Sequence, residues 1–144
     1  MEKIIQRIVL ALSYICRAFL AYVFIPHGYE KLTEKISQQE YIDFGLGGDF
    51  LDFYLIWERT NFIHVIGFAQ LVGGLLLLFR RTYFFGAVWL FPVSLGMFLT
   101  HVYISHALDF IYFDLLVLLF NVYLIVENYA AIRTAFFKAQ KTWI

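Results

Sequence analysis

Four apolar runs, at about residues 8–27, 62–79, 83–102 and 110–126, constrain this chain more than any other feature. Each comes close to or reaches the roughly 20 residues that carry a helix across a bilayer. Backbone in hydrocarbon must satisfy its own hydrogen bonds, so such runs predict helices. The first run keeps Arg17 in its interior. A mid-bilayer arginine costs from about 3 kcal/mol upward, so the other helices must offer it a partner.

Composition agrees with a membrane protein. Hydrophobic residues make up 62% and charged residues 15%, against roughly 45–50% and about 25% in soluble domains. Eleven basic and eleven acidic residues cancel, so no bulk field points to nucleic acid. Cys16 is the sole cysteine. That excludes an intrachain disulfide, a dithiol redox pair and a cysteine-built zinc or iron–sulfur site. The length fits one unit, a single transmembrane domain over 1–144.

The predicted fold is all-α, a polytopic membrane protein whose four transmembrane helices form an antiparallel bundle. MEKIIQR is a short amphipathic lead, and the first run is too long for a signal-peptide core and lacks a small-x-small cleavage site. It reads as an uncleaved span ending at Pro26-His27-Gly28. Residues 33–61 are too polar to cross. Within them Phe50–Trp57 reads as an interfacial or re-entrant helix, a cap between spans one and two on the outer face. Pro92 is expected to bend the third span, and His101–Asp109 forms a short polar turn.

Basic residues set the orientation. Lys3, Arg7, Arg80, Arg81, Arg133, Lys138 and Lys141 lie on one side, and Lys31, Lys35 and Arg59 on the other. The positive-inside rule then puts both termini and the Arg80-Arg81 turn in the cytoplasm of an inner-membrane protein.

Polar residues inside the runs must face the bundle interior or a cavity. Arg17 shares a helix face with Ser13, Ala21, Phe24 and Gly28. Gln70 lies among Gly67, Gly73 and Gly74, and Asp114 and Asn121 are two turns apart on the last span. At about 1.5 Å of rise per residue, Arg17 lies about 15 Å, Gln70 about 12 Å and Asp114 roughly 7–8 Å below the outer boundary. Gln70 is then within easy reach of the guanidinium, and Asp114 within its extended reach. Arg17, Gln70, Asp114 and Asn121 form the expected polar core: either the anchor of a ligand pocket or a buried pair that only fixes helix register.

His27, Glu30, His101, His106 and Asp109 form an expected outer mouth. His101 and His106 are five apart rather than the four that align two ligands on one helix face, so no metal site is expected. Glu30, Lys31, Glu34 and Lys35 read as a solvated helix end with four-residue ion pairs. Arg80-Arg81 reads as a topology determinant touching lipid phosphate.

Arg17, Leu20, Phe24, Gly28, Lys31 and Leu32, followed by Leu71, Gly73, Gly74 and Leu77, resemble the patterns of the DoxX/DoxD family of small four-span membrane proteins. Ala21 replaces a glycine of that pattern, Gln70 its glutamate and Arg80 its later glycine. The resemblance implies a four-helix bundle associated with redox processes, some relatives being subunits of quinone-reducing oxidoreductases. It also implies a quinone as the cofactor to expect, none bound covalently, and a redox partner subunit or a second copy as protein partner beside the membrane lipids. Glutamine cannot carry the proton or charge of the glutamate it replaces. The expected role is therefore a non-catalytic subunit, with no catalytic residue assigned. A small transporter or permeation module and a structural assembly protein are the alternatives.

Overall fold

A computed structural model describes residues 2–136, and all of its regular structure is helical. The order is α1 (Glu2–Thr33), α2 (Gln38–Asp43), α3 (Asp49–Arg59), α4 (Phe62–Leu78), α5 (Tyr83–Thr100), a π turn (His101–Ser105), α6 (Leu108–Val126) and α7 (Tyr129–Phe136). Lys138 and Lys141, part of the orientation argument, lie outside the described residues.

α1 differs from expectation at its far end. It does not stop at Pro26-His27-Gly28 but continues to Thr33. A proline inside a helix removes one N–H bond and crowds the preceding turn. Here the continuation is held by tight packing just beyond it. A Cβ on Gly28 would lie 2.5 Å from the Leu71 nitrogen and 2.7 Å from the Gly67 oxygen, and one on Gly67 would lie 2.8 Å from Lys31 Cβ. About two helical turns further along α4, a Cβ on Gly74 would meet Ile25 Cγ1 at 2.8 Å. These pairs show α1 and α4 running antiparallel with their backbones almost in contact, the use that small residues have between membrane helices.

α4 also packs on α5, α5 on α6, and α6 returns to α1. The shared core holds Cys16, Leu20, Phe24, Leu77, Leu90, Val117 and Leu124, all at most 1% exposed. Apolar side chains also cover the outside: Tyr22, Val65, Phe68, Phe85 and Leu119 are all more than half exposed. An apolar core inside an apolar coat suits a lipid solvent.

Three helical stretches, Lys3–Thr33, Tyr83–Ser105 and Leu108–Val126, are long and apolar enough to cross a membrane. α4 reaches that measure only together with α3, to which it is bent by 91°. α5 runs through Pro92 without a break. Beyond Arg59, Asn61 takes a left-handed conformation (φ 58°), and the chain turns from α3 into α4. α3 therefore lies across one end of the bundle. Its aromatics form a chain of touching rings, Phe50–Tyr54–Trp57, that continues onto Phe62 of α4 and roofs the end carrying Lys31.

Candidate functional site

The polar residues separate into two centres instead of one. The first is built on Arg17, which is 6% exposed. Its Nε donates to the Leu77 carbonyl at 2.8 Å, and a terminal nitrogen donates to Leu78 O at 3.1 Å. These are the last two residues of α4, whose carbonyls have no partner within the helix and carry the negative end of its dipole. The guanidinium also lies over the rings of Tyr83, 4.5 Å from the centroid, and Tyr14, at 5.0 Å. Arg17 thus caps a neighbouring helix. Its hydrogen bonds go to neither Gln70 nor Asp114, correcting the expected pairing, because backbone carbonyls reach it first. Around it, Ser13 donates to Glu127 Oε1 at 2.8 Å, and Tyr83 and Asn128 exchange a contact of 3.2 Å. These bonds tie α1 and α5 to the chain just after α6, at the end carrying Arg80.

The second centre lies at the opposite end, under the α2–α3 roof. A cavity of about 420 Å³ opens there. α1 contributes His27, Glu30 and Lys31, and the roof contributes Tyr41, Phe50 and Tyr54. The far wall is His101, Phe110 and Asp114. Of the expected outer mouth, His27, Glu30 and His101 line this cavity, whereas His106 and Asp109 are exposed and do not. Asp114, expected to serve Arg17, lines it as well. It is 3% exposed, and its Oδ2 has no hydrogen-bond partner.

His101 is held rigidly. Its ring stacks between Phe50, at 4.7 Å and 23°, and Phe110, at 5.1 Å and 14°. Nδ1 lies 2.7 Å from Ser105 Oγ, and Nε2 faces Asp114 Oδ2 at 3.8 Å. Gln70 donates to Met97 Sδ at 3.4 Å, leaving Oε1 without a partner. It lines a smaller cavity of about 170 Å³ that shares Lys31, Tyr54 and Met97 with the larger one. Asn121 is fully buried with neither side-chain atom hydrogen-bonded. On the roof, burial pushes the Tyr41 phenol up to about 12, and the carboxylates of Glu30, Glu40 and Glu58 push the same way. Tyr41 therefore remains a neutral donor at physiological pH.

Lys31 is the residue that charge pattern concealed. Among the described residues it forms no ion pair, although Glu30 and Glu34 stand near it in sequence. Its position is nevertheless legible: residues 17, 21, 24, 28 and 31 step by four and three, which keeps one helix face inward. The aromatic roof falls where Phe50–Trp57 is expected to form a cap, although no sequence signal places a cavity beneath it. Among the described residues no cluster of three or more His, Cys, Asp or Glu could hold a metal ion.

A family model, DoxX, matches residues 12–103. The chain belongs to the DoxX family. The DoxX match takes in Arg17, Lys31, Gln70 and His101 and stops short of Phe110 and Asp114, so the part of the far wall that α6 supplies lies outside it. Neither a search of curated proteins nor one of solved structures found a match. This DoxX membrane protein carries an aromatic-walled polar cavity at one end of its helices and a capped arginine at the other.

Proposed function

We propose that this DoxX protein is a non-catalytic subunit of a quinone-linked redox system and that its larger cavity takes the ring of a membrane quinone. The cavity itself carries the reading. Its volume falls in the usual range for small-molecule sites, and its lining combines the aromatic rings of Phe50, Phe110 and Phe113 with ionisable groups that include Lys31, Glu34, Lys35 and Asp114. The donor set fits both redox forms of the ring. Lys31 and the Tyr41 and Tyr54 hydroxyls offer hydrogen to carbonyl oxygens, and Asp114 Oδ2, otherwise without a partner, accepts from a hydroxyl. A quinone bound there would supply two-electron chemistry to a partner subunit, while this chain binds and orients it. Arg17 stands apart as a structural cap.

In this reading α4 is the second span, with α3 lying across its outer end, and four spans form an antiparallel bundle in the cytoplasmic membrane. Both termini and the Arg80-Arg81 turn face the cytoplasm, and the cavity opens near the outer surface. The partner is a redox subunit or a second copy of the chain.

The test is binding of a short-chain benzoquinone to the purified protein in lipid nanodiscs, read through Trp57 fluorescence, since Trp57 packs on Tyr54 at 5.4 Å. Saturable binding is expected, weakened about ten- to a hundredfold in Lys31→Met, because a charge-assisted hydrogen bond contributes about 1.5–3 kcal/mol. Arg17→Lys should bind like wild type. Absence of saturable binding, or equal affinity in Lys31→Met, would remove the quinone reading.

A further inference from the structure

The larger cavity accounts for the ring of a membrane quinone but not for the apolar chain that anchors such a ring in lipid. Its own mouth is unsuited to a chain, because His27, Glu30, Glu34, Lys35 and Glu40 stand exposed among its lining residues. Carrying hydrocarbon past hydrated charges into water forfeits the burial that keeps it in the bilayer. The chain needs another way out.

The seam between α4 and α5 supplies one. Toward the end carrying Arg80 these helices are closed together: Trp89 Nε1 donates to the Ala69 carbonyl at 3.0 Å, and a Cβ on Gly73 would run into the Leu90 side chain. Toward the roof they part. Gly96, about one helical turn beyond Pro92, is exposed, and a Cβ placed on it would meet nothing within 4 Å. The smaller cavity, of about 170 Å³, lies in this gap. Ile66 and Gln70 of α4 face Pro92, Val93, Gly96 and Met97 of α5 across it.

This space is smaller than the roughly 300–1,000 Å³ of cavities that hold a small molecule alone. Lys31, Tyr54 and Met97 line both cavities, so it is an annex of the larger one. Among the described residues its lining has no titratable side chain except the shared Lys31 and Tyr54. Thr100 spends its hydroxyl on the Gly96 carbonyl at 2.7 Å. Polarity is kept for the buried end, where Gln70, 1% exposed, has Oε1 without a partner. At the junction the Met97 sulfur accepts a long bond from Gln70, at 3.4 Å. An unbranched thioether with three rotatable bonds adapts readily to a neighbour that displaces it.

We propose that the α4–α5 seam is the chain site of the ligand whose ring occupies the larger cavity. The chain leaves the ring past Met97, lies over Pro92 and Gly96, and reaches lipid between the two helices. Lipid tails are as apolar as the seam, so the seam adds little affinity and instead fixes the direction in which the ring enters. This site rests on the quinone reading and adds to it where the rest of the molecule goes.

The probe is a benzoquinone bearing a decyl chain with a diazirine close to the ring, photolysed with the purified protein in nanodiscs and mapped by peptide. Label is expected on segments 66–70 and 92–100, and an excess of short-chain benzoquinone should remove it. Gly96→Phe places a side chain in the open seam, and label on those segments, per quinone bound, should fall about tenfold or more. Label on 27–35 and 110–116 instead, label that the short-chain quinone does not remove, or unchanged label in Gly96→Phe would overturn the chain site. If Gly96→Phe fails to fold, the wild-type map and its competition still decide. A wild-type protein that does not bind the short-chain quinone saturably removes the quinone reading and the chain site with it. Saturable binding with the chain label elsewhere removes the chain site alone.

Discussion

Replacing Arg17 with methionine tests how a charge is held within an apolar helix. Two hydrogen bonds from the guanidinium, at 2.8 and 3.1 Å, would be lost. At about 1.5–3 kcal/mol for each charge-assisted bond they contribute about 3–6 kcal/mol. The contacts over Tyr83 and Tyr14 add about 1–2 kcal/mol together at the lower values for such pairs. Methionine recovers about 3 kcal/mol by taking the charge out of hydrocarbon. The balance is a loss of about 1–5 kcal/mol. Lysine can satisfy one carbonyl but lacks the planar fork, so Arg17→Lys should fall between wild type and Arg17→Met. Reversible unfolding in mixed micelles, followed by helical circular dichroism, gives the order and the size. Because Arg17 and Asp114 share no partner, Arg17→Met and Asp114→Asn should add within about 0.5 kcal/mol. An Arg17→Met protein as stable as wild type would refute the helix-capping account. A coupling well above that limit would restore the direct Arg17–Asp114 contact.

Other parts of the fold make equally definite predictions. Gly67→Ala should destabilise by about 1–3 kcal/mol, because its Cβ would meet Lys31 Cβ at 2.8 Å and the Gly28 oxygen at 2.9 Å. Gly96→Ala, with nothing within 4 Å, should be neutral or stabilise by up to about 1 kcal/mol through helix propensity; the same unfolding assay ranks them. Tyr41 should titrate at about 12 rather than at its ordinary 10. Its raised value contributes stability below pH 10 that is lost as pH rises from there through about 12. A spectrophotometric difference titration of wild type against Tyr41→Phe isolates that step, and a midpoint near 10 would mean that the roof is open.

The sequence carries the helices and the inward face of α1 but misleads about the partners. It matches Arg17 with Gln70 and Asp114 because only side chains have letters. The actual acceptors are the carbonyls of Leu77 and Leu78, which any residue could supply. Lys31 stands in an alternating run, Glu30-Lys31 and Glu34-Lys35, that reads as a solvated surface, although its spacing from Gly28 places it inward. His101 and His106 differ in fate because of the π turn between them, whose bond register no local motif announces and which α-helical spacing misses. The cap helix over Phe50–Trp57 is legible in residues 33–61, but the cavity beneath it is a tertiary product of the bend at Asn61 that lays α3 against α4.

Everything proposed for the cavity turns on which of the two polar centres receives a ligand. Photolabelling with a benzoquinone probe in nanodiscs, followed by peptide mapping, answers it. Label is expected on segments 27–41, 50–54 and 97–114, around the cavity under α3. Label concentrated on 13–17 and 77–83 would place the site at Arg17 and contradict it.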